Sequence, residues 1–319
     1  MNNISNKERK LQYKTNSKSN KSTVVYNPVI INDFEKQLNV MPPILFWETG
    51  TNNIPIYEIS SPHLLSQFVG YCKYANRKNG RVLIRGQGDL YGNKLVPSIA
   101  RNRANIEKSI RVLREKNKEF IERHGGDDIG SSILQHYGIK TEWLDVVDNL
   151  WVALWFASHQ FVRPFTLKEN HDIKEHLLYT NSNEHLHVKC RELEDNAYIL
   201  LLLSDAKKEI TPGVYQGSIS KLIDLRKAIS SIFLRPHSQH ALTLKLRNNE
   251  FEYTKLIIGI AKVKVRDALS WLGNSPLTSV DGLFPPPFFD LGYRTLLEDV
   301  KFVDDKSYIK HYGSITIIS

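Results

Sequence analysis

The chain has 319 residues, 41% of them hydrophobic and 24% charged, a composition that provides ample core for one large domain or two modest ones. Its formal net charge of +9 favours anionic partners such as phosphate backbones. No apolar run is long enough to span a bilayer, and the Lys-rich start lacks the apolar core of a secretory signal. Two distant cysteines, Cys72 and Cys190, show no metal spacing and fit a reduced cytoplasmic protein.

Residues 1–26 are rich in Asn, Ser and Lys and have too little apolar surface to offset the entropy of ordering, so they read as a flexible basic arm. Residues 27–80 form a preamble, with a turn at Pro42-Pro43 and then a helix over 61–76. Ser61 is its cap, Pro62 its first residue, and Leu64, Leu65, Phe68, Val69 and Cys72 its apolar face. The main domain spans 81–300. It opens on a buried strand, 82–84, ending in Arg85-Gly86-Gln87-Gly88. Glycine there lets a ligand approach the backbone, and Arg85 is a candidate fork for phosphate or carboxylate. The segment is no dinucleotide fingerprint, because no helix with a third glycine follows.

A long charged helix is expected over 104–124, stopped by Gly125-Gly126, and a shorter one over 128–136. The stretch 135–157 is the one around which the chain is organised. It passes from a polar turn (His136, Tyr137, Gly138) through Thr141-Glu142-Trp143-Leu144-Asp145 into an apolar helix, 150–159, with Asp148 or Asn149 as N-cap. Ionisable groups between Trp143 and an apolar helix must be paired or used, since unpaired burial is costly.

Residues 161–194 read as an insertion. His171, His176, His185 and His187 are irregularly spaced within it, and a metal site, which needs three or four donors, is not expected. A buried strand follows at 197–203 and a short helix at 222–230. A polar run with Arg235, His237, Gln239 and His240 precedes a strand at 242–247. Loops entering strands often carry function on a rigid scaffold. The chain closes with a strand at 255–265, a helix at 266–272 stopped by Gly273, and a Pro-rich turn at 284–287. An apolar segment then runs to Leu297, and the extension 301–319 carries an edge strand at 315–318. No internal repeat is present. Strands scattered among helices without βαβ alternation argue for an α+β fold. The expected architecture is a mixed, mainly antiparallel sheet, split into two packed halves, with surrounding helices and a cleft between.

Together these pieces resemble the FRG domain family. Ile84-Arg85-Gly86-Gln87 is similar to its FRGQ signature, with Ile for the aromatic, and residues 95–101 are similar to its L-x-P-S-x-x-R. Gln135-His136-Tyr137-Gly138 matches its QHYG run. Residues 141–157 are similar to its T-x-L-L-D-W-T-x-N-P-x-x-A-L-x-F-A, departing at Trp143, at Val146-Val147 and at Leu150. Arg235 and Gln239 fall where the family places an Arg and a Gln before a strand, and Leu283-Phe284-Pro285 with Asp290-Leu291 resembles its closing FPDL. The resemblance covers roughly 82–297.

The order of these motifs is in turn similar to that of the ADP-ribosyltransferase superfamily. That resemblance implies an ADP-ribosyltransferase-like fold and NAD as substrate. It puts Arg85, with Gly86 and Gln87, on the pyrophosphate and Thr141 and Asp145 near the nicotinamide ribose. Tyr137 and Arg235 join the binding set, and Gln239 takes the catalytic position. The superfamily usually has Glu there, so Asp145 or Glu142 must supply the negative charge. His136 or His237 would serve as general base on the acceptor. The implied function is an NAD-dependent ADP-ribosyltransferase acting on a protein or nucleic-acid acceptor. Such a chain would be a cytoplasmic toxin or anti-phage effector with an antitoxin as further partner, and with neither metal nor membrane. Two alternatives stand beside it. One is a nucleic-acid or nucleotide binding module, motivated by the basic arm, the basic helix 108–123 and Trp143, Trp151 and Trp155. The other is a metal-free hydrolase of nucleic acid with His136 and His237 as acid and base, although no nucleophile motif such as G-x-S-x-G is present.

Overall fold

The computed structural model describes residues 28–31, 34, 45–48, 53–101, 106–161, 188–248 and 250–299. The expected basic arm, the turn at Pro42-Pro43, the four histidines of the insertion and the C-terminal edge strand lie outside them.

Strand β1 (Leu45–Glu48) turns back antiparallel onto β2 (Asn53–Glu58). Helix α1 (Pro62–Asn76) begins as expected, with Ser61 Oγ accepting from the Leu64 amide at 3.1 Å and Pro62 in the first turn, where a missing N–H costs nothing. β3 (Arg81–Gln87) follows. The expected long helix is two, α2 (Ile106–Lys116) and α3 (Lys118–Arg123), broken at Asn117. The Asn117 side chain is buried and its Nδ2 donates to the Leu113 carbonyl at 3.0 Å, so it turns back on the preceding turn instead of facing water with the rest of the charged surface. Gly125 and Gly126, with φ of 92° and 79°, provide the left-handed link into α4 (Gly126–His136).

β4 (Leu144–Val147) leads into α5 (Leu150–Ser158). Of the two cap candidates Asn149 does the capping, its Oδ1 accepting from the amides of Trp151 and Val152 at 2.9 and 3.2 Å. Asp148 instead pairs with Arg81 and Arg226 at 3.3 and 2.7 Å. β5 (His159–Phe161) and β6 (Val188–Cys190) form a separate two-stranded ribbon. Next come β7 (Asn196–Ser204), β8 (Lys208–Thr211), β9 (Val214–Gln216), β10 (Ser220–Asp224), α6 (Leu225–Ala228) and α7 (Leu234–Ser238). The last elements are β11 (Ala241–Leu246), β12 (Ile257–Lys264), α8 (Val265–Leu272), α9 (Val280–Leu283) and α10 (Leu291–Asp299).

The helix expected at 222–230 is half strand. β10 is hydrogen-bonded to β9 on one side and β11 on the other, and Leu222 and Ile223 bury on opposite faces, which an extended backbone allows. Only Leu225–Ala228 is helical, capped by Asp224 Oδ1 from the Arg226 amide.

The main sheet has ten strands in the order β1-β2-β12-β7-β3-β4-β11-β10-β9-β8. All its neighbours are antiparallel except β2 and β12. β7 is the fourth strand, well inside the sheet. Ile199, Leu201 and Leu203 enter the core beneath α1 and α5, while Leu200 and Leu202 enter the core of the opposite face. Both faces of that strand are therefore apolar. The fold is α+β with a mixed, mainly antiparallel sheet, as expected, but the sheet is not split into two packed halves. One ladder runs through all ten strands and is thinnest between β3 and β4. All seven residues of β3 pair with β7, whereas β3 meets β4 only through Ile84 and Val147. Beyond that pair a side chain takes over from the backbone, Arg85 Nη1 donating to the Asp145 carbonyl at 2.6 Å. No helix among the described residues is long and apolar enough to cross a membrane.

Candidate functional site

Where β3 and β4 diverge they leave a cavity of about 200 Å³. Arg85 and Gly86 come to it from β3, Asp145 from β4, His136 from the end of α4, and Gln239 from the residue after α7. Val147, Ala153 and Phe156 supply apolar wall. Gly86 is where α5 crosses the strand, and a Cβ there would overlap the Ala153 carbonyl. The glycine thus serves helix-on-strand packing.

Among the described residues, three polar atoms around this space have no hydrogen-bond partner: Arg85 Nε, His136 Nε2 and Asp145 Oδ1. Buried polar atoms are normally satisfied. Burial pulls the Arg85 guanidinium down to about 10, with the nearby Asp145 carboxylate working against it. His136 is 6% exposed, and its Nδ1 lies 3.8 Å from Asp145 Oδ1, beyond hydrogen-bond reach. The other carboxylate oxygen, Oδ2, accepts from Gln135 Nε2 at 2.8 Å.

Gln135 is the residue that motif reading passed over. Its Oε1 accepts from the Thr141 amide, the Thr141 hydroxyl and the Ser98 hydroxyl at 3.0, 3.0 and 3.1 Å. A backbone N–H can only donate, which settles the orientation of the side-chain amide. Nε2 must then point at Asp145, leaving Asp145 Oδ1 for the cavity. Gln135 carries no charge, so its one signal in the sequence is its place at the head of the QHYG run.

Gln239 lines the same cavity, with its Nε2 donating to the Leu283 carbonyl at 2.6 Å. Arg85, Gly86, His136, Asp145 and Gln239 are therefore brought together, while the other expected site residues are not among the lining. Gln87 Nε2 donates to the Asp89 carbonyl at 2.8 Å. Thr141 is fully buried and bonded to Gln135, and its hydroxyl also accepts from the Trp143 amide at 3.2 Å. Glu142 Oε1 accepts from Arg114 Nη2 and Lys245 Nζ at 2.7 and 2.9 Å, so its charge is already countered. Tyr137 donates to Asp290 Oδ2 at 2.6 Å. Burial and the adjacent carboxylate push that phenol well above the usual tyrosine range.

Arg235 is 0% exposed. Its guanidinium carbon lies 4.5, 4.7 and 5.3 Å from the ring centres of Tyr293, Tyr137 and Phe284, and its amide donates to Asp290 Oδ2 at 3.0 Å. His237 lines a different cavity, with Trp151 and Trp271. Trp143 and Trp155 are 0% and 1% exposed and cannot stack on bases, whereas Trp151 is 37% exposed. Among the described residues no three His, Cys, Asp or Glu side chains gather so as to hold a metal ion.

No curated protein and no solved structure matches the chain. A family model does match: that of the FRG domain covers residues 80–163, the stretch that supplies Arg85, Gly86, Gln135, His136 and Asp145, and there the chain resembles that family.

Proposed function

We propose that the cavity between β3 and β4 receives NAD and that the chain transfers ADP-ribose from it to a protein or nucleic-acid acceptor. The observation that carries this reading is the group of three orphaned polar atoms, on Arg85, His136 and Asp145, around one space. At about 200 Å³ the space is smaller than the roughly 300–1,000 Å³ of a site that encloses a whole ligand. It suits one end of a dinucleotide.

The side chains have distinct tasks in this scheme. Arg85 offers Nε to an anionic oxygen of the pyrophosphate. Asp145, held by Gln135, places negative charge where positive charge develops at the ribose carbon. The bond from that carbon to the nicotinamide nitrogen breaks, and nicotinamide leaves as a neutral molecule with both electrons. A lone pair of the acceptor forms the new bond, and His136 Nε2 takes the proton the acceptor loses. One proton is released per turnover. Gln239 stands at the wall as a neutral polar group in place of a carboxylate.

Neither alternative gains a specific observation. His136 and His237 line different cavities, which does not favour an acid and base pair, and two of the three tryptophans are buried. As a toxin or anti-phage effector the chain would act in the cytoplasm and need an antitoxin or other restraint. Incubation of the full chain with NAD tests the reading, with free nicotinamide and a gain of one ADP-ribose unit on added protein or nucleic acid as readouts. Nicotinamide release without modification would make water the acceptor. Absence of NAD binding by calorimetry, together with no release, overturns the reading.

A further inference from the structure

A third cavity, of about 550 Å³, opens beside α5, and His159, Cys190 and Trp155 all line it. His159 and Cys190 face each other in the β5–β6 ribbon, and Cys190 Sγ lies 3.7 Å from His159 Nε2. The tautomer follows from the surroundings. His159 Nδ1 lies 2.9 Å from the Trp155 carbonyl oxygen, which can only accept, so Nδ1 carries the proton of the neutral ring and Nε2 presents a lone pair to the sulfur. The ring is stacked on the Trp155 indole at 4.3 Å and 13°, which sets its plane. Burial lowers the His159 pKa, with the Trp155 carbonyl opposing, and favours the neutral form.

A thiol facing a base that a third group orients, at the wall of a cavity, has the layout of an activated nucleophile. Cys190 is also exposed, whereas Cys72 is buried and its thiol is pushed far up by that burial. The two cysteines therefore differ in kind, although the sequence presents both as ordinary thiols.

We infer that Cys190 is a modification site: an activated thiol that takes the disulfide of a low-molecular-weight thiol from this cavity and becomes its mixed disulfide. The Cys190 proton moves to His159 Nε2, and the sulfur attacks one sulfur of the small disulfide. That S–S bond breaks with its electron pair on the departing sulfur, which recovers the proton from His159. One disulfide is consumed and one formed, and the small disulfide is the only oxidant.

The experiment uses the full chain at neutral pH with glutathione disulfide or hydroxyethyl disulfide, followed by intact mass. One adduct per chain is expected, retained in Cys72→Ser and lost in Cys190→Ser. His159→Ala should slow its formation by about tenfold or more, as loss of a general base does. Asn274 is exposed on the cavity wall, and Asn274→Trp should slow the bulkier glutathione disulfide more than hydroxyethyl disulfide. Should His159→Ala fail to fold, Cys72→Ser provides the comparison by itself, native against urea-unfolded, and the folded chain must react faster. A folded His159→Ala that reacts at the parental rate, native Cys190 no faster than the unfolded thiol, or equal effects of Asn274→Trp on both disulfides overturns the inference. No step involves NAD, so the result is independent of the function proposed above.

Discussion

Arg85 and Arg235 invite the same reading in the sequence, each a cation before or after a strand, and the fold uses them in opposite ways. Arg235 sits among Tyr137, Phe284 and Tyr293 with Asp290 beside its backbone, in a region where the polar groups hold the structure. Arg85 borders an open space that it shares with His136 and Asp145, in a region where the polar groups surround a cavity. A buried cation enclosed by its own chain's aromatic rings serves stability, whereas one beside a cavity leaves room for a ligand.

The largest effect that would sharpen this contrast is expected from Arg235→Ala. Emptying the aromatic cage should cost about 3–5 kcal/mol, read as a lower urea midpoint. Arg85→Met gives up one hydrogen bond to the Asp145 carbonyl, so it should cost about 1–3 kcal/mol, less than Arg235→Ala, while abolishing NAD binding in calorimetry, and a loss as large as that of Arg235→Ala would put both arginines in one class. Asp145→Asn should lower nicotinamide release about a hundredfold with the urea midpoint intact. Unfolding instead would make Asp145 a structural carboxylate. Gln135→Glu places a second carboxylate against Asp145 Oδ2, and like charges oppose ionisation. The acid limb of the activity profile should therefore move to higher pH, which loss of packing alone would not cause.

Tyr137→Phe is the smallest change, about 1 kcal/mol from one buried hydrogen bond, and it has a pH signature. The Tyr137 phenol is raised in the folded state. Its contribution is fully present below the unfolded pKa, near 10, and is lost as pH rises through the folded value. Arg85 has the opposite sign. Its folded value of about 10 lies below the unfolded one, so the unfolded state binds more protons above that pH and the penalty of burying the charge fades. Alkaline melting should fall less steeply in Tyr137→Phe and more steeply in Arg85→Met than in the parent chain.

Much of this is legible in the sequence where local chemistry decides. Ser61-Pro62 marks the start of α1, Gly273 the end of α8, and the apolar run at 197–203 the inner strand β7. The helix expected at 222–230 shrinks to Leu225–Ala228 because pairing with two neighbouring strands takes its first residues and overrides weak local preference. Motifs place Arg85, His136, Asp145 and Gln239 together but do not tell which face each neighbour takes. Glu142 lies at a bend before β4 and so escapes the alternation of the strand that carries Asp145, and it meets Arg114 and Lys245 instead of the cavity. Tyr137, next to His136, turns into the cage with Arg235. Which side holds the core is a property of the assembled sheet, not of the segment.

The single registered pair between β3 and β4 has a mechanical consequence. A sheet resists shear through its ladders, and this one has a seam held by the Ile84–Val147 pair, by Arg85 on the Asp145 carbonyl and by Arg81 on Asp148. The five strands on either side are therefore joined by little backbone pairing. A ligand in the seam would act as a splint across it, and slower amide exchange in β4 on ligand addition would register that stiffening.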